Sequence, residues 1–267
     1  MASDFDGTLA GLVSDPWGAT IVPAARRALR RLAVAQGVQV VLLSGRTVLD
    51  LAGRARVGGV RYLGDHGAEW ATAPRGFRPG ALQVQREPAS PAQIAMAEHL
   101  RREVPQAVAE AWLIVEPKGS ALTFHFRAAP DIEAARARIV TATDAVDPSG
   151  VLVRSGGRRS LELRPAGATD KGTALLRLIE EHRPRVVVML GDDHTDALAF
   201  DALRRARSRG AAEGLAIAVA GHVDTHARVA ERADHVLSSP REAARFLGLV
   251  AEARCGGPGV SSRARSR

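Results

Sequence analysis

The chain has 267 residues, of which 46% are hydrophobic and 25% are charged, as in a globular protein with a core of its own. No apolar run approaches the roughly 20 residues that cross a bilayer, and the chain begins without the basic and apolar regions of a secretory signal. The single cysteine, Cys255, has no partner for an intrachain disulfide. We therefore expect a monomeric, cytoplasmic protein without a membrane segment.

The formal net charge of +8 raises the question of a nucleic acid partner. Arginines are spread along predicted helices such as 26–31 and 204–209, and aromatic residues make up only 4% of the chain. The densest basic cluster, 263–267, lies in the segment 256–267, which we predict to be disordered. We expect no nucleic acid partner; salt-dependent DNA binding by a tail-deleted chain is the result that the alternative requires.

Short apolar strands alternate with amphipathic helices in both terminal parts of the chain. In the first part we predict a helix over 23–36, a strand over 38–43, a helix over 47–56 and a strand near 60–63. The later segments are predicted at 171–182, 185–190, 196–209, 215–219, 225–233, 235–237 and 240–251. Strands this short and apolar are buried on both faces, so we predict an α/β fold with a doubly wound, mostly parallel sheet.

The middle of the chain, 74–164, follows a different pattern. Two helices alternate with adjacent strands, residues 115–121 resemble a hairpin connection, and 122–127 alternate with period two. This pattern predicts an antiparallel sheet with helices on one face. We therefore expect an α+β cap domain at 74–164, inserted in a discontinuous core domain formed by 1–73 and 165–255.

The first candidate site lies in the run Asp4-Phe5-Asp6-Gly7-Thr8. Residues i and i+2 of an extended segment point to the same side, so Asp4 and Asp6 are expected to share one small site. Two carboxylates in different environments can serve as nucleophile and acid in the hydrolysis of a phosphate monoester. The structural alternative is a turn that carries two acids.

A second acidic run, Gly191-Asp-Asp-His-Thr-Asp196, follows the strand predicted at 185–190. Open α/β sheets bind ligands at the carboxyl ends of their strands, and Mg²⁺ prefers carboxylate oxygens. Asp192 fits a metal ligand, and Asp196 is suited to orient a metal-bound water. The alternative is an acidic helix N-terminus capped by Asp193 or Thr195, and both interpretations can hold together.

The run Ser44-Gly45-Arg46 also follows an apolar strand and precedes a helix. A hydroxyl group and backbone N–H groups at the start of a helix can bind an anion. Such a run is common at strand–helix junctions, so its value lies in its combination with the acidic runs.

Lys171 opens a helix, with Asp170 or Thr169 as the expected cap. A cation in the first turn opposes the helix dipole, so a local structural role is unconvincing. The chain has only two lysines, Lys171 and Lys118, which suggests that each is kept where a compact charge is needed. We expect the ammonium of Lys171 to offset carboxylate and phosphate charges.

In this order, the four segments resemble the four motifs of the haloacid-dehalogenase superfamily. The resemblance implies that Asp4 is a nucleophile, that Asp6 is a general acid/base, and that Ser44 and Lys171 hold the phosphoryl group. It further implies that Asp4, the backbone carbonyl of Asp6, and Asp192 hold Mg²⁺. The insert resembles the C2-type cap of this superfamily.

A finer resemblance links the chain to the trehalose-6-phosphate phosphatase family. It is carried by His-Gly-Ala-Glu at 66–69, by Glu-Pro-Lys at 116–118 with His-Phe-Arg at 125–127, by Leu-Glu-Leu-Arg-Pro at 161–165, and by the run at 191–196. It implies a small phosphosugar substrate. The residues implied to bind it are Asp4, Phe5, Asp6, Ser44, Gly45, Arg46, His66, Glu116, Lys118 and Glu162.

The cap residues suit a disaccharide, because Glu116 and Lys118 can grip hydroxyl groups as acceptor and donor while Glu162 adds an acceptor. The alternative is that all three are exposed strand charges. Other open interpretations are a sucrose-phosphate or mannosylglycerate-phosphate phosphatase with a related cap, and a non-catalytic protein that binds a sugar phosphate.

Two features depart from the family pattern. Only three residues precede Asp4, whereas the family has a longer apolar first strand, so we expect either an earlier natural start or poor support for this edge of the site. Ala197 stands where the family often has an acid, and we expect this difference to be tolerated.

Overall fold

The computed structural model describes residues 1–13, 16–156, 159–221 and 227–256. The predicted disordered tail, apart from Gly256, and part of the helix predicted at 225–233 lie outside these residues. The described strands are β1 (Ala2–Ser3), β2 (Val41–Leu43), β3 (Val60–Gly64), β4 (Glu69–Ala73), β5 (Gln85–Arg86), β6 (Ile114–Lys118), β7 (Ala121–His125), β8 (Leu152–Ser155), β9 (Ser160–Pro165), β10 (Val186–Gly191), β11 (Glu213–Val219) and β12 (His235–Leu237). The described α-helices are α1 (Pro23–Leu32), α2 (Val48–Ala55), α3 (Pro91–Val108), α4 (Ile132–Val146), α5 (Lys171–His182), α6 (His194–Ser208), α7 (Ala227–Arg232) and α8 (Pro240–Cys255).

Eight strands form one sheet in the order β12-β11-β10-β1-β2-β3-β4-β5. The pairs from β12 to β3 are parallel, and β4 pairs antiparallel with β3. Because β1 lies between β10 and β2, the two terminal parts of the chain meet at the middle of the sheet. The predicted doubly wound, mostly parallel fold is confirmed.

Apolar side chains bury both faces of this sheet. Along β2, Leu42 belongs to a cluster with α1, α2 and α8, whereas Val41 and Leu43 belong to a cluster with α5 and α6. This alternation follows from the two-residue period of a strand, and it explains why the strands read as continuous apolar runs. No helix among the described residues is long and apolar enough to span a membrane.

The short first strand is well supported, contrary to one of the two expectations for it. Ala2 and Ser3 pair in parallel with β10 on one side and with β2 on the other. The ammonium of Met1 donates to the carbonyl of Gln39 at 2.9 Å, and the N–H of Asp4 donates to the carbonyl of Leu190 at 2.9 Å. Pairing on both sides, rather than length, fixes the strand that carries Asp4.

The chain divides into two compact units, and Arg86–Thr169 belongs to the second. Its boundaries differ from the expected 74–164. Residues 74–85 stay with the first unit, because Phe77, Leu82 and Val84 pack on the cluster formed with α1 and α2. At the other end, Arg164 donates to the carbonyl of Thr169 at 2.9 Å, which ties the residues after β9 to the second unit.

The second unit contains a four-stranded antiparallel sheet in the order β6-β7-β9-β8. Leu122, Phe124, Leu161 and Leu163 on its apolar face pack in one cluster with residues of α3 and α4. The opposite face carries the polar residues of the same strands. The unit therefore has the antiparallel sheet with helices on one face that the sequence predicts.

Candidate active site

Three neighbouring strands place the candidate residues at one edge of the core sheet. Asp4 directly follows β1, Ser44 follows β2, and Asp192 follows β10. The register aligns Ser3 with both Leu42 and Leu190, so the three strands end nearly level. The carboxyl ends of parallel strands are where open α/β sheets bind ligands.

Carboxylates from both terminal parts of the chain converge at this edge. Among the described residues, Asp4, Asp192 and Asp196 each offer an oxygen atom, and these atoms lie within 4.8 Å of one another. All three residues are buried, and Asp196 is fully inaccessible. Hard divalent cations such as Mg²⁺ prefer a small set of carboxylate oxygens of this kind, so the donor atoms fit such an ion.

Lys171 is the cation at the centre of these acids. Its Nζ atom donates to Oδ1 of Asp4 and to Oδ1 of Asp196, both at 2.8 Å, and lies 3.9 Å from Oδ1 of Asp193. The side chain is 2% exposed. Asp170 caps α5 by accepting from the N–H of Thr173 at 2.7 Å, as one of the two expected caps. Because Asp170 caps the helix, the side chain of Lys171 has no capping role and extends toward the acids.

The ionisation of these groups reflects burial and mutual repulsion. Burial raises the pKa of Asp4 while Lys171 opposes the shift, and burial together with the charge of Asp4 raises the pKa of Asp192 well above its ordinary value. Burial also raises the pKa of Asp196 well above its ordinary value, against the attraction of Lys171. Burial alone lowers the pKa of Lys171, but Asp196 and Asp4 outweigh it and raise that pKa well above the usual value. The cluster thus lacks positive charge.

The start of α6 fixes the second acidic run. The Asp193 carboxylate accepts from the N–H groups of Thr195 and Asp196 at 2.8 and 3.1 Å, and thereby caps the helix. Oδ2 of Asp196 accepts from the N–H groups of Asp192 and Asp193 at 3.0 and 3.1 Å. Capping and cluster formation therefore hold together. Both oxygens of Asp196 accept bonds from the protein, so this residue braces Lys171 and the loop of Asp192.

Position 7 has to be a glycine because the side chain of Asp192 lies directly against it. Its φ is +74°, and a Cβ atom at this position would lie 1.9 Å from Oδ2 of Asp192. The hydroxyl of Thr8 donates to Oδ1 of Asp192 at 3.1 Å. Thr8 was missed as a site residue by sequence reasoning, although it belongs to the first run, because the run alone does not show which distant acid it meets.

The carboxylate of Asp6 is paired with Arg46. Its two carboxylate oxygens accept from Nε and Nη2 of Arg46 at 2.6 and 2.8 Å. Asp6 is not a member of the carboxylate group formed by Asp4 with Asp192 and Asp196. Besides burial, the charge of Asp6 contributes to the raised pKa of Asp4, so the shared site of the two acids stays a prediction, with Arg46 as the direct partner of the Asp6 carboxylate.

The residues after β2 and β3 form a compact turn. Ser44 is 2% exposed, its hydroxyl accepts from the N–H of Arg46 at 3.2 Å, and its carbonyl accepts from the N–H of His66 at 2.9 Å. A Cβ atom on Gly45 would lie 2.8 Å from the imidazole ring of His66. Glu69 of the same motif accepts from the N–H of Val48 at 3.0 Å, at the start of α2. Glu69 therefore has a structural role.

Phe5 is fully buried in the core cluster on the side of α1 and α2. The guanidinium of Arg46 lies 5.9 Å from the centre of its ring. The predicted contact of Phe5 with substrate therefore has to use its backbone, because the ring supports Arg46 from inside the core.

In the second unit, one polar row crosses all four strands. Glu116 lies opposite Thr123, Thr123 lies opposite Glu162, and Glu162 lies opposite Ser155. Nε2 of His125 lies 2.8 Å from Oε2 of Glu116. The row brings together cap residues that are up to 46 positions apart in the sequence.

Lys118 binds Glu162, with Nζ and Oε1 separated by 2.9 Å. Their side chains are 5% and 8% exposed, so the alternative of exposed strand charges is wrong for these two residues. Two side-chain pairs are present on this face, Lys118 with Glu162 and Glu116 with His125. The contact of Lys118 with Glu162 is diagonal, since Glu162 is in line with Glu116 through Thr123 and Lys118 lies two residues further along β6.

These features define a class before they define a family. The doubly wound core, with acids after β1 and β10, a hydroxyl after β2 and a lysine at the start of α5, has a haloacid-dehalogenase-like fold. A haloacid dehalogenase-like hydrolase from Bacteroides thetaiotaomicron has the same fold, with a TM-score of 0.63, 17% identity, and coverage of 93% of this chain and 98% of that chain.

The family model for trehalose-phosphatase matches residues 2–234. The chain belongs to the trehalose-phosphatase family. The trehalose-phosphate phosphatase of Mycolicibacterium paratuberculosis is 37% identical over 257 residues, which cover 93% of this chain and 61% of that protein. The chain thus spans about three fifths of that relative's length. The C-terminal domain of trehalose-6-phosphate phosphatase from C. albicans shares the fold, with a TM-score of 0.76, 23% identity, and coverage of 94% and 90% of the two chains.

Proposed function

We propose that this protein is a Mg²⁺-dependent phosphatase that hydrolyses trehalose 6-phosphate to trehalose and phosphate through an aspartyl-phosphate intermediate. The observation that carries the proposal is the contact of Lys171 with Asp4 inside a buried set of carboxylates. The family and the relatives support the class of substrate. A cytoplasmic, monomeric enzyme remains the prediction from the sequence.

In the proposed first step, an oxygen of Asp4 forms a bond to phosphorus while the bond from phosphorus to the sugar oxygen breaks. Asp6 gives a proton to the departing oxygen. In the second step Asp6 takes a proton from a water, whose oxygen forms a bond to phosphorus while the bond from phosphorus to Asp4 breaks, which releases phosphate and restores the Asp4 carboxylate. Lys171 holds one oxygen of Asp4 at 2.8 Å, which directs the carboxylate. Ser44, with the N–H groups near Gly45 and Arg46, is assigned to the phosphoryl oxygens.

Asp4, Asp192 and the backbone carbonyl of Asp6 are assigned to hold Mg²⁺, with Asp196 bracing the loop behind them. The raised pKa values of Asp4 and Asp192 support this assignment, since they arise where buried carboxylates lack positive charge. When bound, the ion neutralises carboxylate and phosphate charge.

Recognition of the sugar is assigned to the polar face of the sheet in the second unit. Lys118 and Glu162 form a buried, ordered pair, and Glu116 is held by His125. Such residues have fixed orientations and can exchange hydrogen bonds with hydroxyl groups of a disaccharide. We also propose that His66, held in a left-handed turn with φ of 57°, contacts the substrate beside Ser44.

A panel of sugar phosphates tests this function. The purified protein is incubated with trehalose 6-phosphate, glucose 6-phosphate or sucrose 6-phosphate, with and without Mg²⁺, and released phosphate is measured. We expect Mg²⁺-dependent release, far faster from trehalose 6-phosphate. Comparable rates on all three compounds would remove the claimed specificity. Binding of trehalose 6-phosphate without turnover would favour the non-catalytic alternative.

A further inference from the structure

Four charged side chains form a continuous chain that leads away from Asp6. Arg46 donates two bonds to the carboxylate of Asp6 and a third, from Nη1, to Oδ2 of Asp50 at 2.7 Å. Arg54 donates from Nε to the same Oδ2 atom, also at 2.7 Å. Positive and negative charges alternate along this chain and balance in number.

These four linked charges are more than a set of salt bridges within one helix. Asp50 and Arg54 lie four residues apart within α2, as an ordinary helix pair does. Arg46 lies outside the helix, before the cap Thr47, so its bond to Asp50 joins the helix to the turn after β2. The side chains of Arg46, Asp50 and Arg54 are 11%, 20% and 12% exposed, which limits screening by water.

Arg46 and Arg54, the two partners of Asp50, each have further restraints. The ring of Phe5 lies under the guanidinium of Arg46 at 5.9 Å, within the range of a cation–π contact. Arg54 also donates from Nη1 to the carbonyls of Trp17 and Ala19 at 2.7 and 3.0 Å, so it cannot move without breaking those bonds. Oδ2 of Asp50 is therefore a fixed acceptor that sets the plane of the Arg46 fork.

We propose that Asp50 is a positioning residue for Asp6 and acts through Arg46. The inference rests on the proposed function, in which Asp6 gives a proton to the sugar oxygen as the bond from that oxygen to phosphorus breaks and the bond from Asp4 to phosphorus forms. A misplaced proton donor slows this step when the leaving group is an alkoxide. An acidic phenol leaves without such help.

The test compares two leaving groups in the full chain with Mg²⁺ present. The value of kcat/KM covers the steps up to departure of the leaving group, and is measured for trehalose 6-phosphate and for p-nitrophenyl phosphate. We expect Asp50→Ala to lower kcat/KM about tenfold or more on the sugar phosphate and less than about threefold on the aryl phosphate. Asp50→Asn keeps an oxygen acceptor and is expected to recover part of the loss.

Glu98→Ala is the matched control, because Glu98 makes similar helix pairs with Arg101 and Arg102 in α3. This substitution should leave kcat/KM unchanged for both substrates. Equal losses on both substrates for Asp50→Ala, or no loss on either, would overturn the positioning role. If Asp50→Ala does not fold, Arg54→Gln is used instead, because it removes the bond from Arg54 to Asp50. A loss selective for the sugar phosphate supports the positioning role, and equal losses or none overturn it.

Failure of the proposed function has a different signature. The wild-type protein would then hydrolyse the aryl phosphate but not trehalose 6-phosphate. In that case the same comparison is made with the alkyl phosphate that the wild-type protein hydrolyses fastest, and the selective loss expected for Asp50→Ala is unchanged.

Discussion

Lys171 and Asp4 are 167 positions apart in the chain, yet Nζ and Oδ1 lie 2.8 Å from each other. The contact joins the first helix after the second unit to the first residue after the central strand. It also orders one carboxylate oxygen of Asp4.

Asp4→Asn should abolish turnover of any phosphate ester while the protein keeps its fold. The amide cannot serve as the nucleophile, but it removes one charge from a set of repelling acids, so thermal stability should be equal or higher. Lys171 retains its bond to Asp196. Phosphate release and a melting curve check both parts, and normal activity in this variant would refute the aspartyl-phosphate route.

Lys171→Met should abolish turnover and also destabilise the protein. Removal of one partner from a buried ion pair leaves its acids uncompensated, at a cost of about 3–5 kcal/mol. Denaturant unfolding measures the change. Arg177→Met on the exposed side of α5 is the control and should stay within about 0.5 kcal/mol of the wild type. Equal effects of the two substitutions would contradict a central role for Lys171.

Gly7→Ala should have two effects. It strains the backbone, and it also displaces Asp192 from the carboxylate cluster. Gly76→Ala is a matched control, since Gly76 has φ of +72° and no atom lies within 4 Å of an added Cβ. Both changes carry the left-handed penalty of about 1–2 kcal/mol. Only Gly7→Ala drives a methyl group into Asp192, so only it should also abolish stabilisation by Mg²⁺, as seen in melting curves with and without the ion.

The metal-free protein should lose stability as the pH rises above about 4. Burial raises the pKa of Asp4, Asp192 and Asp196, so the folded state keeps protons that the unfolded chain has released. The free energy of unfolding therefore falls through this range, while Lys171 stays charged in both states. Mg²⁺ at about 100 times its Kd adds about 2.7 kcal/mol.

Melting curves at several pH values, with Mg²⁺ or with a chelator, measure that effect. The increase in Tm caused by Mg²⁺ should be larger near neutral pH than at about pH 4, where the acids are protonated. A Tm that rises steadily with pH in the chelator, or that ignores Mg²⁺ at neutral pH, would speak against a shared ion site.

The hydroxyl of Tyr62 should lose its proton only above the ordinary pKa of a tyrosine, and its ionisation should destabilise the folded protein in alkali. It is the only tyrosine, so the ultraviolet absorbance of tyrosinate reports on it alone. Its hydroxyl donates to the carbonyl of Val57 at 2.7 Å, and burial raises its pKa from 10.0 to about 12. The folded state keeps this proton longer, so in total about 2.7 kcal/mol of stability is lost as the pH rises from about 10 to beyond about 12. A midpoint at the ordinary value with the fold intact would be inconsistent with this burial.

The sequence was sufficient to predict where each acid, hydroxyl and lysine stands relative to a strand or helix. Lys171 could be singled out because the chain has only one other lysine, and it lies buried beside Asp4. Strand ends could be placed from apolar runs, because parallel strands buried on both faces have that composition.

Side-chain partners across distant segments could not be predicted. Nothing in the run Ser44-Gly45-Arg46 shows that Arg46 binds Asp6, since this depends on the turn after β1. The pairing of Lys118 with Glu162 depends on the register of β6, β7 and β9. Register and side-chain rotamers arise from packing, and short motifs do not encode them.

Identification of the residue that becomes phosphorylated tests the central claim most directly. The protein is mixed with labelled substrate and Mg²⁺, quenched in acid during turnover, digested and mapped by mass spectrometry. The proposed mechanism predicts one phosphate on Asp4 and none in the Asp4→Asn variant. Phosphate on another side chain, such as His66 or Ser44, would contradict it.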